Sequence, residues 1–138
     1  MNETLLRFLK TGSTAPEPAP WGTRERLSGP GLTETQRLIL VRVVTPPGGG
    51  HAFHTHPEME EIIYVISGRA EQWVDRASRM LEPGDTAHVP AGVVHATYNT
   101  GGEPLIFLAM LSPATSTGPG TIDVSAAEPW LSLRPRAR

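Results

Sequence analysis

Two stretches of the sequence decide the fold: Gly48–Gly68, which reads GGGHAFHTHPEMEEIIYVISG, and Gly84–Asn99, which reads GDTAHVPAGVVHATYN. His54 and His56 are two residues apart in the first stretch. Side chains alternate along a strand, so both imidazoles would project from one face. The second stretch delivers His95 on a further strand after a Pro-Ala-Gly turn. We interpret the rest of the chain as a scaffold for these side chains.

A glutamate completes the group of polar residues. Pro57 interrupts strand pairing, and a bend there would return Glu61 to the face of the two histidines. The run 61–68 is rich in β-branched and aromatic residues, which predicts a strand. Imidazole nitrogens and a carboxylate oxygen from adjacent strands can converge on a divalent metal, and ligand type alone allows Mn, Fe, Co, Ni, Cu or Zn. Glu60 is the main competitor of Glu61, and we interpret Glu58 and Glu60 as solvated.

The two stretches resemble the two signature motifs of the cupin superfamily. The first motif is Gly, five residues, His-x-His, three or four residues, Glu, six residues and Gly. It is filled here by Gly48, His54, His56, Glu61 and Gly68. The second motif is Gly, five residues, Pro-x-Gly, two residues, His, three residues and Asn. It is filled by Gly84, Pro90, Gly92, His95 and Asn99. The resemblance covers about residues 40–111, and the six residues that separate Glu61 from Gly68 favour Glu61 over Glu60.

The resemblance implies an all-β fold, a single double-stranded β-helix (jelly-roll) barrel with short terminal arms. It also implies a small single-domain protein that binds one metal ion inside the barrel. The residues that match the family's ligands are His54, His56, Glu61 and His95. We therefore expect one divalent transition metal, with Fe, Mn, Ni and Zn all left open.

The length of 138 residues predicts one domain. We expect an N-terminal arm over residues 1–31, the barrel over 32–112, and a C-terminal segment over 113–138 that packs on the barrel and ends in a disordered basic tail. Fourteen Pro and fourteen Gly suit a turn-rich, all-β chain. The arm either packs loosely on its own barrel or is swapped with that of a second copy.

Four further segments of the sequence predict strands. They are Thr33–Val44, the hairpin from Arg69 to Leu81 with its turn at Arg76–Ser78, Leu105–Leu111, and an edge strand at Ile122–Val124. The near-continuous apolar run Leu105–Leu111 is typical of a strand buried on both faces or in a dimer interface. That run, with the habit of the family, predicts a homodimer.

Composition excludes several classes of function. A net charge of −2 and the lack of a basic stripe argue against a nucleic-acid partner. The absence of cysteine excludes disulfides, thiolate ligands and a cysteine nucleophile. No apolar run approaches a membrane span and the N-terminus lacks an apolar signal core, so we expect no membrane partner and a cytoplasmic location.

No catalytic residue can be assigned from the sequence, but there are three candidates. His51 is either an exposed loop residue or an acid–base group at the barrel mouth. His88 faces either the pocket or the outer surface. Tyr98 either closes the pocket or packs outside it, and alternation from His95 favours packing. We interpret Trp21 as a packing anchor.

Three histidines and a glutamate leave open positions on a five- or six-coordinate ion. A substrate could chelate there through a carboxylate, enediol or keto-acid, and the ion would act as a Lewis acid or bind dioxygen. The site would carry a charge of about +1, which attracts anions. The resemblance implies a mononuclear metal enzyme of dioxygenase or isomerase type that acts on a small oxygen-rich or aromatic acid. The alternative is a non-catalytic, ligand-binding or sensor-like cupin with a structural metal.

Overall fold

A computed structural model describes residues 6–134, which form two antiparallel sheets around one core. The elements are β1 (Glu17–Ala19), β2 (Gly22–Ser28), β3 (Ile39–Thr45), β4 (Gly50–Thr55), β5 (Glu60–Ser67), β6 (Ala70–Val74), β7 (Ala77–Leu81), β8 (Thr86–Val89), β9 (His95–Tyr98), β10 (Leu105–Ser112), β11 (Ile122–Asp123) and the short helix α1 (Trp130–Leu133). The end of the predicted basic tail, with Arg136 and Arg138, lies outside the described residues.

The first sheet has six strands in the order β1-β2-β3-β10-β5-β8, and the second has five in the order β11-β4-β9-β6-β7. The chain changes sheet between β3 and β4, between β4 and β5, and at each of several later connections, as a jelly roll requires. The predicted all-β, double-stranded β-helix class is therefore confirmed. Among the strands of residues 6–134, no ladder joins the two sheets, so the sandwich is not closed into a continuous barrel.

Strand β10 lies at the centre of the six-stranded sheet and supplies much of the core. Leu105, Phe107 and Ala109 are buried, and they alternate with residues on the outer side of the sheet. Phe107 pairs with Val43 of β3 and with Val65 of β5, so inward-facing side chains of three neighbouring strands meet there. Burial of each large apolar side chain stabilises the fold by about 1.5–3 kcal/mol. Of the two alternatives for β10, burial on both faces within one chain is wrong, because its outer residue Met110 is 37% exposed. The dimer-interface alternative stays a prediction.

The predicted N-terminal arm contributes two strands to the six-stranded sheet. Strand β1 pairs with β2, and β2 pairs with β3 of the same chain, where Arg24 lies opposite Val43. Residues 17–28 therefore extend the sheet rather than lying loosely on it. The boundaries of the arm, the barrel and the C-terminal segment stay a prediction.

The C-terminal segment packs on the five-stranded sheet. The predicted edge strand is confirmed as β11, which pairs with β4. Trp130 of α1 lies 5.3 Å from Phe53, measured between ring centroids. The guanidinium of Arg134 lies 3.6 Å from the ring centroid of Tyr98 and donates a 2.6 Å hydrogen bond to Glu71. Aromatic contacts and a charged hydrogen bond thus hold the end of the described chain.

The β6–β7 hairpin turns earlier than the sequence predicts. Val74 pairs with Ala77, so the turn is the two residues Asp75 and Arg76 instead of Arg76–Ser78. Asp75 has a φ of 54°, the left-handed conformation that two-residue hairpin turns need and that Asp tolerates. Within residues 6–134, no helix has the length and apolar character to cross a membrane.

Candidate metal centre

The four predicted ligands meet in one buried cluster, although they come from both sheets. His54 lies in β4 directly opposite His95 of β9, and Glu61 lies in β5 of the facing sheet. His56 follows β4, just before the Pro57 turn that leads into β5. One ligand atom from each of the four side chains lies within 4.8 Å of the corresponding atoms of the others. The bend predicted at Pro57 does return Glu61 to the histidines.

Each imidazole is oriented by a hydrogen bond from its Nδ1 atom to a backbone carbonyl. The partners are Ala52 for His54 at 2.7 Å, Gly120 for His56 at 2.9 Å and Val93 for His95 at 3.1 Å. A carbonyl oxygen only accepts, so each Nδ1 carries the proton and donates it. Each Nε2 is left to act as a ligand, and backbone carbonyls commonly orient metal-binding histidines in this way.

The distances to Glu61 test whether this donor set fits a metal ion. The Oε1 atom of Glu61 lies 2.9 Å from Nε2 of His95 and 3.3 Å from Nε2 of His56. Without an ion, Oε1 of Glu61 faces the Nε2 atoms of two rings that already donate from Nδ1, so neutral imidazoles would place acceptor against acceptor. A divalent cation bound by the Nε2 atoms and the carboxylate removes that conflict. The residues fit the ion, and the buried cluster in this fold suggests a divalent metal.

The protonation of Glu61 and His54 suits coordination, whereas the raised pKa of His56 means that a proton competes with an ion there. Burial raises the pKa of Glu61, but hydrogen bonds from His56 and His95 outweigh it and bring the value to about 2. Burial, followed by the neighbouring imidazoles, lowers the pKa of His54 to about 2. Burial lowers the pKa of His56, but its hydrogen bond with Glu61 outweighs this and the net change is upward. At neutral pH the carboxylate is ionised and His54 is neutral, which are the forms that bind metals.

His51 faces the cavity beside the cluster and is not an exposed loop residue. A bulge in β4 between His51 and His54 lets two residues three apart share one side of the strand. The His51 ring stacks on His54 with centroids 3.5 Å apart, and Trp21 stacks on its other face at 5.1 Å. Burial lowers the pKa of His51 to about 4, so the ring is neutral at pH 7. A catalytic role for His51 stays a prediction.

The other two catalytic candidates lie away from the cluster. His88 is on the outer side of the six-stranded sheet, where its Nε2 lies 2.8 Å from Oε1 of the exposed Glu60. The pocket-facing alternative for His88 is therefore wrong, and Glu60 does not compete with Glu61. Tyr98 is on the opposite face of β9 from His95 and packs near Phe53, as alternation predicts.

A cavity of about 240 Å³ adjoins the cluster. Its walls are mainly apolar and include Val41, Val43, Phe107 and Ala109. Trp21, Arg24, Gly120 and Thr121 also line it. The sequence predicts a packing role for Trp21 and contains no signal that marks Arg24. Arg24 lies opposite the inward-facing Val43, which directs the Arg24 side chain toward the cavity. The pairing register of these strands cannot be read from the sequence.

Glu58 is exposed but is not merely solvated. Its carboxylate accepts hydrogen bonds from the backbone N–H of Thr117 and of Gly118, each at 3.0 Å, and from the Thr117 hydroxyl. These bonds hold the loop of residues 113–121, which presents the Gly120 carbonyl to His56. Glu58 therefore supports the cluster indirectly, through a loop about sixty residues away in the chain.

Comparison with known proteins identifies a matching family and related proteins. Residues 41–111 match the family model of the cupin domain. The chain is 35% identical over 111 residues to a germin-like protein, subfamily 2 member 2, from Arabidopsis thaliana, a match that covers 74% of this chain and 49% of the relative. The chain thus spans about half the length of that curated relative.

Many solved structures share the fold, and two of them illustrate the likeness. One is a conserved protein with a double-stranded β-helix domain from Klebsiella pneumoniae, with a TM-score of 0.68, 27% identity, and coverage of 85% of this chain and 96% of that one. The other is a Bacillus subtilis oxalate decarboxylase variant, with a TM-score of 0.69, 24% identity, and coverage of 88% and 32%. At that identity the second likeness concerns the fold alone. The family match, the fold and the buried cluster agree: the chain belongs to the cupin family.

Proposed function

We propose that this cupin is a mononuclear metal enzyme of dioxygenase or isomerase type that acts on a small aromatic or oxygen-rich acid. The observation that carries the proposal is the buried cluster of three histidines and Glu61 at one end of a cavity. A divalent ion held there would supply Lewis acidity to an oxygen of the ligand. The cupin family includes several activities, so membership of the family does not by itself identify the reaction.

The shape and lining of the cavity limit the substrate. Its volume of about 240 Å³ lies below the ~300–1,000 Å³ usual for drug-sized ligands, so the substrate would be small. The apolar residues of the lining are Trp21, Ile39, Val41, Val43, Met59, Phe107, Ala109 and Leu111. Within the proposed class, such walls favour an acid with an aromatic or other apolar body over a polyol.

We propose that His51 donates or accepts a proton, or orients the substrate through a hydrogen bond. Both faces of its ring are covered, one by His54 and the other by Trp21, so only the ring edge can meet a ligand. A neutral imidazole can donate at one ring nitrogen and accept at the other. Its stacked position would fix the direction of that hydrogen bond.

The second candidate function is a non-catalytic, ligand-binding cupin with a structural metal. It is favoured by the scarcity of acid–base groups around the cavity. Apart from the four cluster residues, the titratable residues of the described chain that line the cavity are His51 and Arg24. Most enzymes need a positioned acid or base besides the metal, and this site offers few.

Elemental analysis is the experiment that tests the proposal. The protein would be purified without a histidine tag or added metal, beside the double variant His54→Ala, His95→Ala. Near-stoichiometric metal that is lost in the variant supports the site, and iron in particular would direct an oxygen-uptake screen on aromatic acids. Turnover by the metal-free variant, or no metal in either protein, would overturn the enzyme proposal.

We also propose a homodimer that forms through the outer face of the six-stranded sheet. Ile62, Tyr64, Ile66 and Met110 lie on this face and are 41%, 38%, 45% and 37% exposed. Exposed apolar side chains grouped on one face in this way mark an interaction surface, and a sheet face can pair with its own copy about a two-fold axis. Light scattering should show a dimer that Ile62→Lys dissociates, whereas Met80→Lys, at an equally exposed residue of the other sheet, should not. A monomeric native protein would contradict the proposal.

The cytoplasmic location stays a prediction.

A further inference from the structure

Arg24 is the one arginine among the described residues that line the cavity. It sits in β2 directly opposite Val43 of β3, and paired residues of an antiparallel ladder project to the same face. That face is the inner one, because Val43 is buried in the core. The Arg24 side chain is nevertheless 52% exposed, so its charged end lies at the rim while the metal-binding cluster lies at the floor.

The present partner of Arg24 holds it weakly. The nearest carboxylate that pairs with it is Glu17 of the neighbouring strand β1, at 3.9 Å, and the Glu17 side chain is 65% exposed. Exposed ion pairs at such distances contribute little to stability. The guanidinium can therefore leave Glu17 for another anion at small cost, and its planar fork suits bidentate contact with a carboxylate.

The cavity thus combines a buried polar cluster and an exposed guanidinium with apolar walls. The floor offers His54, His56, His95 and Glu61. The walls offer Val41, Val43, Phe107 and Ala109, and the rim offers the guanidinium of Arg24. A ligand that satisfies all three zones has an anionic or oxygen-rich head for the metal, an apolar body for the walls and a second anionic group for Arg24.

We propose that Arg24 is a specificity-determining residue that selects acids carrying a second anionic group on an apolar body, an inference that rests on the proposed function and names its substrate class more narrowly. A monocarboxylate would occupy the floor and the walls and leave Arg24 with Glu17. A dicarboxylate of suitable length would bind the floor with one group and take Arg24 from Glu17 with the other.

Binding calorimetry on the metal-loaded protein tests this with two matched probes, benzoate and terephthalate, which share one ring and differ by one carboxylate. We expect terephthalate to bind the native protein about tenfold more tightly than benzoate, as one charge-assisted contact at a partly exposed site provides. In Arg24→Gln this preference should disappear, with benzoate affinity unchanged.

Two control variants make the result specific to Arg24. Arg79→Gln removes an exposed arginine of β7 that does not line the cavity, so it reports the effect of net charge alone and should keep the preference. Glu17→Gln removes the competing carboxylate and should strengthen terephthalate binding slightly. Loss of the preference in Arg79→Gln as well would overturn the inference, because long-range charge would then explain it.

The failure of this inference can be told apart from the failure of the proposed function. If benzoate and terephthalate bind the native protein equally, or if Arg24→Gln weakens both to the same degree, the role of Arg24 is overturned and the acid-binding site stands. If neither probe binds the metal-loaded protein, both the proposed substrate class and the role of Arg24 are overturned.

Discussion

The Nδ1 atom of His56 lies 2.9 Å from the carbonyl oxygen of Gly120, a residue 64 positions further along the chain. The ring orientation of one candidate ligand therefore depends on a loop that follows the last long strand of the sandwich. The same loop is tied to the turn after β4 by hydrogen bonds that Thr117 and Gly118 donate to Glu58. The turn and the loop form one unit beside the cluster.

Replacing Glu58 by Ala should weaken metal binding several-fold. The variant loses the carboxylate that holds the loop, so Gly120 no longer fixes the His56 ring, and partners of this kind commonly affect metal affinity. Competition against a chelator of known affinity measures the change. Glu60→Ala is the matched control, because Glu60 is a neighbouring exposed glutamate that bonds outward to His88. Equal affinities of the two variants would show that the loop holds His56 without Glu58.

Removal of the metal should lower thermal stability, and His95→Ala should abolish the difference. A ligand that binds only the folded state stabilises it by about 2.7 kcal/mol at a free concentration of 100 times its Kd. Calorimetric melting of metal-free and metal-loaded protein measures the shift. In His88→Ala, which changes a histidine on the outer face, the full shift should remain. A metal-dependent shift that survives in His95→Ala would place the ion elsewhere.

Acid should remove the contribution of the Glu71–Arg134 contact to folding. Burial raises the pKa of Glu71, but hydrogen bonds from Arg134 and Trp73 lower it below the ordinary 4.5. A carboxyl whose pKa is lower in the folded state stabilises above its unfolded value, and that stabilisation disappears as pH falls through the folded value.

Denaturant unfolding of the native protein and Glu71→Gln at pH 7 and pH 3 measures this effect. We expect the variant to be less stable by about 1 kcal/mol at pH 7 and the difference to shrink at pH 3. Glu82→Gln, which breaks a more exposed pair with Arg69, should change little at either pH. A Glu71→Gln deficit that is equal at both pH values would mean that charge is not its source.

The two motif glycines Gly68 and Gly84 should respond differently to alanine. Both have positive φ, 78° and 95°, so each substitution costs about 1–2 kcal/mol for the left-handed backbone. A Cβ at Gly68 would also lie 2.4 Å from the Pro104 carbonyl oxygen, whereas nothing lies within 4 Å at Gly84. Gly68→Ala should therefore lower the free energy of unfolding clearly more than Gly84→Ala. Equal losses in denaturant unfolding would show that the backbone near Pro104 yields freely.

The first-motif part of the cluster could be predicted from local sequence, whereas His95 was assigned as a ligand through the second cupin motif. His54 and His56 differ by one strand period, and Pro57 marks the bend that returns Glu61. The position of Tyr98 followed from simple alternation with His95. In each of these cases the distance along the chain is short and the backbone between the residues is regular or has a proline to mark its irregularity.

The remaining features depend on contacts that the sequence does not display. Alternation puts His51 and His54 on opposite faces, and the bulge that reverses this carries no proline or other clear signal. The side of the sheet on which His88 lies depends on the path of the chain around Pro90. The role of Glu58 depends on a loop about sixty residues away, and that of Arg24 depends on the register between β2 and β3.

The stack of Trp21 on His51 and of His51 on His54 gives the protein an internal optical reporter. The indole is separated from a candidate metal ligand by one imidazole, with ring centroids 5.1 Å and 3.5 Å apart. Of the three tryptophans, Trp21 is the one that lines the cavity, whereas Trp73 and Trp130 pack around Phe53. In a variant with phenylalanine at positions 73 and 130, quenching of the remaining emission would follow the arrival of a paramagnetic ion in real time, without any added dye.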